Sequence, residues 1–243
     1  MKQVFILVIM LISCGAIAQT RIEKSIPVKD AKKIELNFDF PNLIRISTWE
    51  SKEISIVGTV SINHGLNDEA FKLFITERDG FVSIENKIDD MKGMEEVIVG
   101  RRGGEKFIFR SKDELRKYKN ENPGAFDVIS YGMDIEIELE IKVPVSMTTQ
   151  IDAKYGMVEV VNFNAPLTVM ATYGGVDVSL NETAVGQLIA ETNYGQIYSN
   201  LKTQFTGDHP ERDFHTVVSA QPGTGPKYQV ESTYGNVYLR RSP

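Results

Sequence analysis

The sequence predicts an all-β fold: a β-solenoid or β-helix-like stack of short strands turned at Tyr-Gly corners, plus a charged insertion with a short helix. Three observations predict it. One is a repeat: IDAKYGMVEV at Ile151–Val160 returns as VMATYGGVDV at Val169–Val178, AETNYGQIYS at Ala190–Ser199 and VESTYGNVYL at Val230–Leu239. The second is strict alternation of apolar and polar residues inside each copy, the period of a strand with one buried face. The third is spacing. The tyrosines fall 18, 21 and 40 residues apart, and periods near 20 belong to solenoids, whose coils cannot bury their apolar faces alone.

The phase of the repeat locates the corners. Apolar or small residues stand four and two positions before each tyrosine (Ile151 and Ala153 in the first copy), then three and five after it (Val158 and Val160). The pattern therefore slips by one residue at Tyr-Gly, which demands a bend or bulge. The structural repeat corners are Tyr155-Gly156, Tyr173-Gly174, Tyr194-Gly195 and Tyr234-Gly235. Glycine is expected there for its access to positive φ. Equivalent residues of stacked coils lie ~4.8 Å apart, so Tyr155, Tyr173 and Tyr194 should form a ladder with Tyr234 further along it. In phase with buried positions, these rings are expected to fill space and stabilise the coil rather than to bind.

Residues 1–18 are expected to be a signal peptide. Lys2 supplies the positive start, Val4–Ile12 is an apolar run too short to span a bilayer, and Ala16-Ile17-Ala18 is a small-x-small cleavage site. Leu11-Ile12-Ser13-Cys14 offers a rival reading, a lipobox with possible lipidation of Cys14; membrane contact is expected only in that case. Either way the chain is expected to be exported, to a periplasmic, outer-membrane-associated or extracellular location. Cys14 is the only cysteine, so cleavage after Ala18 leaves a mature chain held by its core rather than by disulfides.

Residues 19–243 then read as one solenoid-like domain. Strands fill 19–88, with Ile34, Leu36, Phe38 and Phe40 alternating and Phe40-Pro41-Asn42-Leu43 standing where a degraded first Tyr-Gly corner would be. Trp49 is expected to pack over a coil end. Asn67–Phe74 carries Ala70, Phe71 and Phe74 at helical spacing and suggests a short helix. Residues 89–126 are a charged surface insertion, in which Ser111-Lys112-Asp113-Glu114 has capping-box spacing ahead of a polar helix. Regular repeats occupy 127–202, beginning with the half-wet strand Met133–Val143, which Pro144 either ends or places at a sheet edge. An irregular insertion at 203–226 includes Phe214–Ser219, read as a coil without its Tyr-Gly. The last repeat, 227–243, closes with Arg240, Arg241 and Pro243, which blunt an exposed end.

The formal net charge is −6, which argues against a nucleic-acid surface and gives no general attraction to anionic lipid. Chemistry is sparse. Gly100-Arg101-Arg102-Gly103-Gly104-Glu105-Lys106 lacks the Gly-Lys-Ser/Thr ending of a phosphate loop and reads as a hairpin tip. His64, His209 and His215 show no metal-ligand spacing, and no Gly-x-Ser-x-Gly elbow exists. No catalytic residue, cofactor or metal ligand is therefore expected. One enzyme alternative remains: a β-helix polysaccharide lyase or hydrolase using Asp152, Glu159, Asp177 or Glu191 as paired carboxylates, although these fall at different repeat positions.

Taken together, the export signal, the Thr48-Trp49-Glu50 turn before Glu53-Ile54-Ser55-Ile56-Val57, the charged insertion, the strand Ile137-Glu138-Leu139-Glu140-Ile141-Lys142-Val143-Pro144 and the serial Tyr-Gly strands resemble the bacterial family of adhesin-like, exported β-strand-repeat envelope proteins. That resemblance implies a β-helix-like solenoid over nearly all of the mature chain. It also implies a non-catalytic envelope or extracellular scaffold with an unknown envelope protein or a glycan as partner. The alternatives are an envelope-stress regulatory component acting through a membrane partner and, behind it, the lyase. The sequence departs from the family at Phe40-Pro41 and at Thr203–Pro226.

Overall fold

The computed structural model describes residues 19–78, 80–208 and 214–242. Cys14 and the export segment, His209 and Pro243 lie outside them. The chain is all-β. It opens with β1 (Thr20–Pro27), β2 (Lys33–Phe38), β3 (Leu43–Trp49) and β4 (Glu53–Ile62), then a hairpin of β5 (Phe71–Arg78) and β6 (Phe81–Ile88). A small three-stranded sheet follows, made of β7 (Val97–Arg102), β8 (Glu105–Phe109) and β9 (Val128–Gly132), with helix α1 (Lys112–Glu121) between the last two. Next come β10 (Ile135–Pro144), β11 (Thr148–Ala153), β12 (Met157–Val160), β13 (Leu167–Ala171) and β14 (Val176–Leu180). The chain ends through β15 (Gln187–Thr192), β16 (Ile197–Ser199), β17 (Thr206–Asp208), β18 (Thr216–Ala220), β19 (Lys227–Ser232) and β20 (Val237–Arg241). No helix among the described residues is long and apolar enough to cross a membrane.

Two large sheets carry the repeats. One runs β1-β4-β10-β3-β12-β14-β20-β16 and the other β17-β18-β15-β19-β13-β11-β2-β6-β5. Each Tyr-Gly copy gives one strand to each sheet, and the copies pair in parallel and in register. Ile151 faces Val169, Val169 faces Val230, and Val230 faces Ala190. On the other sheet Val158 faces Val176, Val176 faces Val237, and Val237 faces Ile197. The alternation read from the sequence is the burial pattern itself: these inward residues, Ile197 excepted, are fully buried in one shared core, and each large apolar side chain so placed contributes about 1.5–3 kcal/mol. Strands β2 and β3 stack on the first copy in the same parallel register, with Leu36 opposite Ile151 and Ile44 opposite Val158. Phe40-Pro41 thus occupies a corner position.

The spatial order of the repeat copies differs from the expected one. The last copy does not follow the third; β19 lies between β13 and β15, and β20 between β14 and β16. Residues Thr216–Ala220 are not a coil that lost its corner. They form β18, antiparallel to β15 and backed by β17. That hairpin covers the edge of β15, an edge that would otherwise offer unpaired backbone groups, and the strands of the final copy have hydrogen-bonded neighbours on both sides.

Local contacts decide the shorter elements. The helical spacing over Asn67–Phe74 yields only a single 3-10 turn at Asp68–Ala70, and Asn67 makes no side-chain cap. The Asp68 carboxylate instead turns inward to accept the Ile62 N–H at 2.6 Å, and Phe71 onward pairs antiparallel with β6. Sheet pairing here overrides a weak helical period. In the insertion, the Ser111 hydroxyl accepts the Glu114 N–H at 3.2 Å and starts α1. This helix and its sheet share a small separate core of Ile98, Phe109 and Leu115. Strand β10, with Glu136, Glu138 and Glu140 facing water and Ile137, Leu139 and Ile141 buried, sits centrally between β4 and β3 and stops at Pro144. Trp49 ends β3, where its indole N–H donates to the Glu53 carbonyl at 2.8 Å.

Candidate functional site

The corners stack as the paired strands do. In each copy the first strand ends on a buried small residue, Ala153, Ala171, Thr192 or Ser232. The tyrosine two positions later is already outside the core. Tyr155, Tyr173, Tyr194 and Tyr234 are 42%, 55%, 60% and 52% exposed, so the expectation that they continue the buried phase is corrected. The phase breaks before the ring, because the sheet strand stops at the small residue and the next residues form the bend.

The four rings form a ladder in spatial rather than chain order. Tyr155 lies over Tyr173 (centroids 5.3 Å apart), Tyr173 over Tyr234 (5.1 Å) and Tyr234 over Tyr194 (5.0 Å), with interplanar angles of 16°, 7° and 6°. Phe40 stacks beyond Tyr155 at 6.2 Å, and Phe214 lies tilted by 32° beyond Tyr194 at 5.8 Å. The backbone sets this spacing. The Tyr173 N–H donates to Lys154 O at 2.8 Å, Tyr234 N–H to Thr172 O at 2.9 Å and Tyr194 N–H to Thr233 O at 2.9 Å, so the interstrand spacing of a sheet is carried through the corner into the rings.

The glycines serve a different purpose from the expected one. Of the four corner glycines, only Gly156 has positive φ (79°). Gly174 is needed because a Cβ there would lie 1.4 Å from the Gly156 carbonyl oxygen; at Gly235 it would lie 2.2 Å from Gly174 O, and at Gly195 1.9 Å from Gly235 O. The corners are packed backbone on backbone. Two buried hydroxyls lock them: Thr192 Oγ1 donates to Gly235 O (2.9 Å) and accepts the Gly195 N–H (3.0 Å), and Ser232 Oγ donates to Gly174 O (2.7 Å) and accepts the Gly235 N–H (2.8 Å).

A second, shorter stack lies beside the first. Tyr198 lies over Tyr238 at 5.3 Å. Both stand four residues after a corner tyrosine, a coincidence visible in the sequence. Their hydroxyls are held internally, Tyr198 by Gln196 Oε1 and Tyr238 by Asn236 Nδ2. Among the described residues, by contrast, no protein atom is hydrogen-bonded to the hydroxyls of Tyr155, Tyr173, Tyr234 or Tyr194.

The four carboxylates of the enzyme alternative divide between the sheets. Glu159 and Asp177 are direct cross-strand neighbours, but Arg45 holds Glu159 at 2.7 Å and Arg240 Nε spans both Asp177 oxygens at 2.8 Å. Asp152 accepts from Gln150 at 3.0 Å. Glu191 meets His215 Nε2 at 2.7 Å and stands opposite Glu231, whose carboxyl is pushed up by its own burial and by the Glu191 charge, against a smaller opposing effect of His215. Each of the four is thus engaged by a neighbouring side chain. His64 sits in a left-handed turn, φ 62°. Gly103-Gly104 is the tip of the β7–β8 hairpin. Among the described residues no group of three or more His, Cys, Asp or Glu could hold a metal ion.

No protein-family model matches the chain, and no curated protein matches it. Among solved structures it is similar to a "putative cell adhesion protein" from Clostridium sporogenes, at 13% identity and a TM-score of 0.48, over 92% of this chain and 100% of that one. It is also similar to a "putative adhesin" from Bacteroides fragilis, at 10% identity and a TM-score of 0.25, over 92% of this chain and 98% of that one. Neither likeness assigns a family or a function.

Proposed function

We propose that this chain is a non-catalytic, exported β-solenoid that acts as a cell-envelope or extracellular scaffold with an adhesin-like binding edge. The observation that carries the reading is the row of stacked, solvent-facing aromatic rings. Exposed aromatic surface on a rigid frame binds at low entropic cost, because the rings are already ordered. Parallel in-register coils supply the frame, and the Tyr-Gly corners fix the pitch of the row. The outward carboxylates are tied to Arg45, Arg240, Gln150 and His215, which leaves them suited to keeping a sheet face soluble rather than to an acid and base pair.

The test is retention on intact cells and isolated envelope. Labelled protein should bind saturably, lose that binding when Tyr173 and Tyr234 are both replaced by Ala, and release no reducing ends from envelope glycan. Release of reducing ends that survives those changes and stops in Asp152→Asn or Asp177→Asn would reverse the reading in favour of a lyase or hydrolase.

A further inference from the structure

We infer that the tyrosine ladder is a binding track for a neutral, extended, β-linked glycan chain, read by its row of phenol hydroxyls. The inference rests on the scaffold reading above and names its ligand class.

Four features point to this chemistry. The first is the step. Successive tyrosine rings are 5.3, 5.1 and 5.0 Å apart, along a line perpendicular to the strands. An extended chain of β-linked pyranoses advances by about one ring length per residue, close to the same step. An extended peptide presents side chains on one face only every roughly 6.6 Å and drifts out of phase within two rungs.

The second is the polarity of the row. Each ladder hydroxyl is both donor and acceptor and, among the described residues, has no protein partner. Tyr198 and Tyr238, on the neighbouring face of the same coils, have theirs occupied by Gln196 and Asn236. Four such hydroxyls on stacked, nearly parallel rings match a polymer that offers hydroxyls at every step.

The third is charge. In a protein of net charge −6, with a quarter of its residues charged, the residues immediately before the tyrosines are Lys154, Thr172, Asn193 and Thr233. Only the one nearest Phe40 is charged, and its ammonium lies over the Tyr155 ring at 5.6 Å. Such a track complements a neutral chain and does not favour a polyanion.

The fourth is orientation. Each inner ring has its faces covered by its neighbours, so a ligand meets ring edges and hydroxyls. Recognition then depends on the hydroxyl oxygen, which makes Tyr→Phe the decisive substitution, since it keeps the stack and removes only the oxygen.

The experiment is calorimetric titration of the purified protein with cello- and chito-oligosaccharides of two, four and six residues. An α-linked maltohexaose and an anionic oligogalacturonate serve as contrasts. Affinity should rise with length to the hexamer for at least one neutral β-linked series and be weaker for both contrasts. Each lost hydroxyl should weaken hexamer binding about fivefold, so Tyr173→Phe with Tyr234→Phe should cost on the order of twentyfold, while Tyr198→Phe should leave it unchanged. Absence of binding by both hexamers, equal binding of maltohexaose, or full affinity in the Tyr173/Tyr234 double variant would each overturn the assignment. Tyrosine-dependent retention on envelope without hexamer binding would end this inference and leave the scaffold reading standing.

Discussion

Replacing Gly174 by Ala probes the corner at its tightest point. The new Cβ would lie 1.4 Å from the Gly156 carbonyl oxygen, 2.5 Å from its carbon and 3.0 Å from its nitrogen, where ordinary contact begins at 3.4 Å. All three are backbone atoms, so no side chain can swing aside. Restoring contact requires the two corners to part by about 2 Å. The Tyr173 N–H to Lys154 O and Val158 N–H to Gly175 O hydrogen bonds, 2.8 and 3.0 Å long, do not survive such a separation. Overpacking at ~1–3 kcal/mol plus two hydrogen bonds at ~1 kcal/mol each gives a loss of about 3–5 kcal/mol, or a fall in Tm on the order of 10 °C for a chain of this size. The matched control is Gly104→Ala. Its φ is 85° with nothing within 4 Å, so it should lose only the ~1 kcal/mol of a left-handed alanine. Urea unfolding followed by far-ultraviolet dichroism measures both. If Gly174→Ala is no more destabilising than Gly104→Ala, the corners are not packed backbone on backbone and the account of the glycines is wrong.

Two further predictions concern protons. Tyr228 is buried, donates to the Phe163 carbonyl, and its phenol is pushed up to about 12 by burial. The folded state therefore keeps a proton that the unfolded state gives up near pH 10, and stability should fall as pH rises from about 10 to 12. Tyr228→Phe should flatten that alkaline slope while costing about 1–3 kcal/mol at neutral pH through the unpaired carbonyl. Denaturant titrations across the alkaline range read both effects. Glu231 is held above the usual carboxylate range in the fold by burial and by Glu191 opposite it. Here too the folded state binds the proton more tightly, so stability is lost as pH climbs through that range and regained as it drops. Glu231→Gln should gain about 0.2–1 kcal/mol at pH 7 from relief of the like-charge pair and remove its share of the slope; a loss of stability at pH 7 would contradict the placement.

Much of the architecture could be read from residue order because β burial is a local code. The two-residue period picked out Ile151, Val158, Val169, Val176, Val230 and Val237, and the phase slip located every corner. The same logic reached Phe40-Pro41, where an aromatic residue precedes a strand in the right phase. Residue order could not decide which coil touches which. Copies so alike can pair with any of the others; in the fold the β17–β18 hairpin occupies the edge of β15 and the last copy lies between the second and third. The same limit applied at Asn67–Phe74, where three apolar residues at helical spacing yielded to pairing with β6.

The candidate site divides along the same line. Sequence alone determined that four tyrosines recur at one repeat position, and that small residues and glycine flank them. Tertiary structure decided that the rings face water, that they run in the order 155, 173, 234, 194, and that Phe40 and Phe214 close the row. It also decided what the glycines are for. A residue's reach into its own chain is set by its neighbours in sequence, whereas the oxygen that excludes a Cβ from Gly174 belongs to a coil 18 residues away, and only folding brings the two together.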